Sequence, residues 1–392
     1  MAHSSNKAAS AKKLEAVPQL DLHREYEQIR HEVLAALGRV CASQKFILGE
    51  EAEAFEREIA SFTEAADSVA CASGTDALWL AMAAHGIQPG DSVITTTFSF
   101  FASASSIVRT GAQPIFIDVD PLTLNIDPQK IAARLRAGAS HKVRAILPVH
   151  LYGQCADMDA LQQIANEFHL TIIEDAAQAI GAAWRDTRAG ALGTAAAFSF
   201  YPTKNLSAYG DAGLVTTRDP ELAARMRRLR NHGSPRRYLH EETGWNSRMD
   251  AFQAAILRVK LPHIEAWNDK RRAHAKNYDR LLKGAGLASS GNAPVRLLQT
   301  STHAHHVFHQ YVIRAQRRDE LRKFLAEQNI GSEIYYPIPL HLQPCFAYLG
   351  YAAGDLPESE RAAAEVLALP MFPELTEDEQ EWVVENIAKF YS

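Results

Sequence analysis

Three short stretches carry side chains suited to chemistry. "FSFYPTKNLSAYGDAGLV", residues 198–215, sets Lys204 between an apolar run and a glycine-bearing turn. The preceding "AAAFSFY" is small and aromatic enough for a buried strand, Pro202 ends it, "YGDAG" makes a tight turn and "LVTT" begins another strand. Most lysines are solvated surface charges, but a lysine on a short loop between two core strands is partly desolvated and can act as a nucleophile. "IIEDAAQAIG" delivers Asp175 to the C-terminal end of an apolar strand, with Gln178 three residues on. Carboxylates at such edges line the ligand crevice of open α/β sheets, and the same position equally suits a helix cap. "CASGTDAL", residues 71–78, leads a strand into a helix through Ser73, Gly74 and Thr75. Exposed backbone N–H groups and the positive helix end converge there, where an anion can sit, although a plain cap has the same composition.

The elements that must position these residues follow from a repeated strand-then-helix rhythm. "DSVACAS" with "GTDALWLAMAAHG", "DSVITTT" with "FFASASSIVRTG", "AQPIFIDV" with "DPQKIAARLRAG" and "KVRAILPVHLYG" with "DMDALQQIANEFH" each pair an apolar or β-branched run with a helical pattern. That rhythm predicts an α/β domain with a mostly parallel sheet covered on both faces. "LTIIEDAAQAIG", "AAAFSFY" and "AGLVTT" add strands, and the helical run that begins at "MDAFQAAILRVK" leads out of the domain near residue 260. Beyond it "HVFHQYVIRA" alternates like a strand, while "RDELRKFLAEQNI" and "LTEDEQEWVVENIAKFY" read as helices, predicting a smaller α+β domain. The expected division is an N-terminal arm over 1–16, a large domain over 17–260, and a connecting helix with a small domain over 261–392.

Composition bounds the function. A chain of 392 residues, 47% hydrophobic and 22% charged, is long enough for two packed domains. A net charge of −5 leaves no nucleic-acid footprint, and no apolar run approaches the roughly 20 residues that span a bilayer. Neither partner is expected. The four cysteines lack any C-x-x-C spacing, which fits reduced thiols in a cytoplasmic protein, and the polar N-terminus lacks the apolar core of a signal peptide.

Taken in order, "SGTDAL", "TFSFFASAS", "PVHLYGQ", "IIEDAAQAIGA", "AFSFYPTKNLSAYGDAG", "RNHG", "GWNSRMD", "YYPIPLHLQP" and "LALPMFPELT" resemble the DegT/StrS family of sugar aminotransferases, over nearly the whole chain. The resemblance implies an aspartate aminotransferase-like fold of type I with pyridoxal 5'-phosphate as cofactor, and a homodimer with shared active sites. It implies that Lys204 links covalently to the cofactor, Asp175 bonds the pyridine nitrogen and Gln178 reaches the phenolic oxygen. It further implies that Gly74, Thr75 and Ser199 hold the phosphate with Asn246 of a neighbouring subunit, and that Phe100 stacks on the ring. The physical chemistry agrees: a carboxylate beside the pyridine nitrogen favours its protonated, electron-withdrawing form, and a displaced lysine amine can shuttle a proton. Phe100 in "FSFF" is also consistent with plain core packing.

Tyr335, Tyr336 and His341 lie on a proline-stiffened loop that resembles the family's nucleotide-sugar contact region, and Arg248 matches a family position that faces the substrate of the opposite subunit. "RMRRLRNHGSPRRYLH", residues 225–240, is basic enough either for a solvated helix face or for a loop that meets a diphosphate. In "HAHHVFHQ", strand alternation would place His303, His305 and His309 on one face; no metal is expected there, because this chemistry needs none. The expected reaction moves an amino group from L-glutamate to C3 of a dTDP-3-keto-6-deoxyhexose or a UDP-3-keto sugar. Three alternatives stay open: amination at C4, sugar dehydration, for which relatives carry histidine in place of the lysine, and a non-catalytic cofactor-binding regulator.

Overall fold

The rhythm of apolar runs and helical patterns folds as alternating strands and helices. The computed structural model describes residues 15–139, 142–288 and 291–392; residues 1–14 of the expected arm lie outside them. The chain begins with α1 (Leu22–Ser43) and α2 (Glu50–Thr63). It continues through β1 (Asp67–Cys71), α3 (Gly74–Ala84), β2 (Ser92–Thr96), α4 (Ala102–Arg109), β3 (Gln113–Ile117), α5 (Pro128–Arg134), β4 (Val143–Leu147), α6 (Met158–Phe168) and β5 (Thr171–Asp175). A hairpin of β6 (Ala183–Trp184) and β7 (Thr187–Arg188) precedes β8 (Ala195–Ser199), β9 (Gly213–Thr217), α7 (Pro220–Leu229) and α8 (Ala251–Lys260). The C-terminal part holds α9 (Ile264–Gly284), β10 (Val295–Leu297), β11 (Ala304–His305), β12 (Tyr311–Ala315), α10 (Arg318–Glu327), α11 (Pro357–Glu365), β13 (Val366–Leu369) and α12 (Glu377–Tyr391).

Side chains set where the helices start. Asp21, Ser73, Asp127, Asp157 and Asp219 each accept a first-turn N–H, and Thr376 with Glu379 forms a capping box on α12. The large sheet has seven strands in the order β1-β9-β8-β5-β4-β2-β3. Only β9 runs against its neighbours, so β1, β8, β5, β4 and β2 all deliver their C-terminal ends to one edge. Alternate residues of one strand face opposite apolar clusters: Ile146 and Ile172 pack on one side, Leu147 and Ile173 on the other. No helix among the described residues is long and apolar enough to cross a membrane.

Three expectations change, and two helices join the fold. The helices α1 and α2 were not legible as elements of their own, yet both pack on α8. The helical run from residue 251 is two helices, because Pro262 cannot donate to a continuous ladder and a short 3₁₀ turn separates α8 from α9. Val17 is fully buried in the C-terminal core, its amide bonded to Asn329, so the segment after the arm packs with the small domain's residues. The strand expected over "HVFHQYVIRA" is confined to Tyr311–Ala315, which is buried on both faces instead of alternating, and pairs with β10 and β13.

The ion pair between Arg230 and Glu56 is nearly buried and ties α2, β1 and the end of α7 together: Glu56 accepts the Ala70 N–H at 2.9 Å and Arg230 donates to the Ala70 carbonyl at 2.6 Å. Removing Arg230 leaves the buried Glu56 carboxylate with only the longer 3.4 Å contact to Arg227 and the Ala70 amide. Arg230→Ala is expected to lower unfolding free energy in urea by about 3–5 kcal/mol. Arg136→Ala, which deletes an exposed pair with Glu167, is expected to change it by less than about 1 kcal/mol. Equal losses in the two variants would contradict this account.

Candidate active site

Asp175 ends β5 and Ser199 ends β8, on adjacent parallel strands whose register sets Asp175 opposite Ala197. The Asp175 backbone is pinned on both sides: its N–H donates to the Pro148 carbonyl at 2.8 Å, and its carbonyl accepts from the His150 N–H at 3.0 Å. Its carboxylate is buried, with Oδ2 accepting the Ser103 hydroxyl at 2.7 Å and Oδ1 the Ala177 N–H at 3.3 Å. Burial pushes this carboxyl above its usual range; the Ser103 hydrogen bond and the Lys204 charge act the other way.

Glu174, one residue earlier, points to the opposite face and is occupied structurally. It accepts the N–H groups of Gly190, Leu192 and Gly193, and His150 Nε2–H at 2.9 Å. The Ala156 N–H donates to His150 Nδ1 at 3.2 Å, which leaves Nε2 to carry the proton.

Lys204 is half-buried on the turn between β8 and β9, and among the described residues no hydrogen bond or ion pair holds its amine. Burial brings its pKa down to about 8, with Asp175 opposing the shift. The neighbouring residue anchors the turn: Asn205 Nδ2 donates to Asn268 Oδ1 at 2.8 Å and to the Val307 carbonyl, and its Oδ1 meets His309 Nδ1 at 3.1 Å. Burial also holds His309 well below its ordinary pKa, and the Lys204 charge adds to that.

The Ser73–Thr75 entry to α3 lies against the ends of β8 and β9. A Cβ on Gly74 would stand 2.5 Å from the Ser199 Cβ, and one on Gly213 would stand 2.2 Å from the Ser73 carbonyl oxygen. Glycine is therefore required at both positions for this close approach. Gly74, Thr75 and Ser199 thus come together beside the N-terminus of α3, and Ser106 Oγ donates to the Thr75 carbonyl at 3.2 Å.

Gln178 is held at both ends of its amide, with Oε1 accepting the Tyr152 N–H at 2.6 Å and Nε2 donating to the Tyr336 hydroxyl at 2.8 Å. The Tyr152 hydroxyl in turn donates to the Tyr335 carbonyl at 2.7 Å. Phe100 is 59% exposed, which rules out a core-packing role within this chain, and its ring lies 6.4 Å from that of Tyr336.

The structure does not gather every expected residue. His341 is fully buried, with Nδ1 on Thr97 Oγ1 at 2.7 Å and Nε2 on Glu360 at 3.1 Å. Both ring nitrogens are engaged, so His341 clamps the "YYPIPLHLQP" loop to the end of β2 instead of presenting a free face to a ligand. Asn246 is exposed and accepts from Arg248 Nε at 2.9 Å; neither contacts Lys204, Asp175 or Ser199 of the same chain among the described residues. Their loop is fixed to α3, because Ser247 Oγ donates to Asp76 Oδ2 at 2.6 Å and Trp245 packs on Trp79.

The histidine stretch does not alternate along one strand. His305 sits in β11, His306 stacks flat on Phe308, and His309 turns inward to Asn205. Of the basic stretch, Arg225, Arg227, Arg228 and Arg230 pair with Glu56, Asp67, Glu241 or Glu242, and Arg236 and Arg237 form no ion pair among the described residues. The sequence reading missed Ser103, His150, Asn205 and Asp76. Ser103 and His150 lie inside "TFSFFASAS" and "PVHLYGQ", but nothing in one sequence shows which residue of a motif faces which partner.

The chain is similar to known proteins over nearly its whole length. Residues 27–388 match the DegT/DnrJ/EryC1/StrS aminotransferase family. A "Pleiotropic regulatory protein" of Geobacillus stearothermophilus is 52% identical over 375 residues, spanning 96% of this chain and 98% of that protein. The dTDP-3-amino-3,4,6-trideoxy-alpha-D-glucose transaminase of Streptomyces venezuelae is 44% identical over 375 residues, 95% of this chain and 96% of that enzyme. The crystal structure of S. venezuelae DesV superposes with a TM-score of 0.91 at 42% identity, covering 96% of this chain and 99% of DesV. With the family model matched from residue 27 to residue 388, nearly its whole length, the chain belongs to the DegT/DnrJ/EryC1/StrS aminotransferase family.

Proposed function

We propose that the protein is a pyridoxal 5'-phosphate-dependent aminotransferase that moves an amino group from L-glutamate to C3 of a nucleotide-linked keto sugar, a dTDP-3-keto-6-deoxyhexose or a UDP-3-keto sugar. The observation that carries the reading is the meeting of an unpartnered Lys204, a buried Asp175 and the Gly74–Ser199 contact at one sheet edge. These residues fit the cofactor. The helix entry, which would lose its close approach if Gly74 gained a Cβ, offers N–H groups and the Thr75 and Ser199 hydroxyls to a phosphate. Asp175 offers a carboxylate to a pyridinium, and Gln178 and Phe100 complete the ring's surroundings.

When bound, the cofactor supplies an aldehyde that condenses with amines and a ring that withdraws electrons from the adjacent carbon. Lys204 would supply the covalent link, since an amine with a pKa near 8 is partly unprotonated at neutral pH. Its freed Nζ would take the proton from the donor's α-carbon and return one to the sugar carbon. Asp175 would hold the ring nitrogen in its protonated form. Tyr335, Tyr336 and Arg248 are proposed to contact the sugar nucleotide; with the nucleotide held, its binding energy orients the ketone over the lysine.

The enzyme is proposed to act as a cytoplasmic homodimer, with Asn246 and Arg248 serving the neighbouring subunit's site. The exposure of Asn246, the partial exposure of Arg248 and, among the described residues, their absence from their own chain's lysine site support this. One observation favours a second reading: the relative at 52% identity carries a regulatory name. A regulator that only binds the cofactor would use the same lysine and carboxylate to hold it and never turn over, so the two readings part in the assays below.

The holoenzyme is expected to aminate dTDP- or UDP-linked 3-keto sugars with glutamate, the new C–N bond falling at C3 by NMR, and Lys204→Ala is expected to lose turnover and the borohydride-reducible link to cofactor. Amination at C4 alone would move the regiochemistry, loss of a hydroxyl without nitrogen would indicate dehydration, and failure with every amino donor would favour the regulatory reading.

Lys204 also predicts a pH profile. The free amine is the reactive form, so capture of pyridoxal 5'-phosphate by the cofactor-free protein, followed by stopped-flow absorbance, should accelerate as pH rises through about 8 and then level off. A rate still climbing toward pH 10 would show an ordinary lysine.

Mixing Lys204→Ala chains with Asn246→Ala chains, each inactive alone, should restore activity through heterodimers that hold one undamaged site. With subunit exchange verified by mass spectrometry, absence of rescue would refute shared sites.

A further inference from the structure

We propose that Ser103, backed by Ser99, is a positioning residue for Asp175: a chain of two buried hydroxyls grips one carboxylate oxygen and fixes the plane in which the carboxylate meets the cofactor. The inference rests on the reading of Asp175 as the cofactor's carboxylate. Ser103 lies in the first turn of α4 and is 1% exposed; Ser99, in the loop before it, is 4% exposed. A helical serine ordinarily turns to solvent or back-bonds to a carbonyl of the preceding turn. Ser103 does neither, and sends its hydroxyl across to β5, where it meets Asp175 Oδ2 at 2.7 Å.

The direction of the chain is set by chemistry. An ionised carboxylate only accepts, so the Ser103 proton points to Asp175 and its oxygen is left to accept from the Ser99 hydroxyl at 2.8 Å. Hydrogen bonds to a charged acceptor are about twice as strong as neutral ones, and aligned bonds polarise each other. The other groups facing Asp175 are Lys204, His150 and the Tyr336 hydroxyl, together with the Ala177 N–H on Oδ1. Of these only the Ala177 amide hydrogen-bonds the carboxylate directly, at a longer 3.3 Å, so the serine bond is the principal restraint on its rotation. The loop from Thr97 to Ser103 therefore does two tasks at once, presenting Phe100 outward and bracing Asp175 from within.

The test uses Ser103→Ala, Ser99→Ala, the double variant, Ser103→Thr and, as a reference, Asp175→Asn. Affinity for pyridoxal 5'-phosphate is measured on the cofactor-free protein by fluorescence. Ser103→Ala is expected to weaken binding about 10- to 100-fold, the effect of losing one hydrogen bond to a charged group. Ser99→Ala should weaken it less, the double variant no more than Ser103→Ala alone, and Ser103→Thr should restore most of the affinity.

A second readout needs no cofactor. Burial holds Asp175 above its unfolded pKa, so its contribution is most favourable at low pH and is lost as pH rises through the folded value. Without the Ser103 hydroxyl that inflection in melting temperature against pH should move to higher pH. Binding within twofold of wild type with an unmoved inflection, or additive effects of the two serines, would overturn the proposal. Unchanged cofactor affinity in Asp175→Asn would instead overturn the role of Asp175 itself, and the proposal with it.

Discussion

A carboxylate and an amine kept near one another inside a protein, without a direct bond between them, form the constraint on which the rest of this site depends. Each is unfavourably desolvated, and each shifts toward its neutral form: Asp175 upward, Lys204 down to about 8. A direct ion pair would relieve both and would also remove the reactive amine. The surrounding structure keeps them apart by holding each from behind. Asp175 is pinned through its backbone by Pro148 and His150 and through its side chain by Ser103, while the Lys204 turn is anchored by Asn205 to Asn268 and His309.

Those anchors come from distant parts of the chain, which explains why a protein of this size is needed to place so few groups. The bracing serine lies on α4, the asparagine partner on α9 and the histidine on the loop before β12. The C-terminal part of the chain is thus coupled to the lysine turn through His309, and to the Gln178 amide through Tyr336.

The parts of the fold legible in the sequence were those written locally. Strand runs such as "DSVITTT" and caps such as Ser73 and Asp157 encode their own element, and the sheet edge followed from them. The lysine, the aspartate and the helix entry stood out because each combines a reactive or polar residue with strand-ending punctuation. What stayed hidden was pairwise. His341 looked like a ligand residue because its loop resembles the family's substrate-contact region; only the fold shows Thr97 and Glu360 closing on its ring. The histidines of "HAHHVFHQ" looked periodic, yet their backbone turns instead of extending, with Phe308 at positive φ. Ser103 and Asn205 carried no signal, since a serine in a helix and an asparagine in a turn are both unremarkable in isolation.

The adjacent acids of β5 show how narrowly such a site is encoded. Glu174 and Asp175 are both buried, and they face opposite sides of one strand because successive strand residues alternate. One is the clasp of the 190–193 turn and the other lies at the crevice. Loss or gain of a single residue within β5 would exchange their faces, setting a longer carboxylate toward the crevice and a shorter one toward the three amides of the turn. The count of residues in this strand is therefore as tightly constrained as their identity.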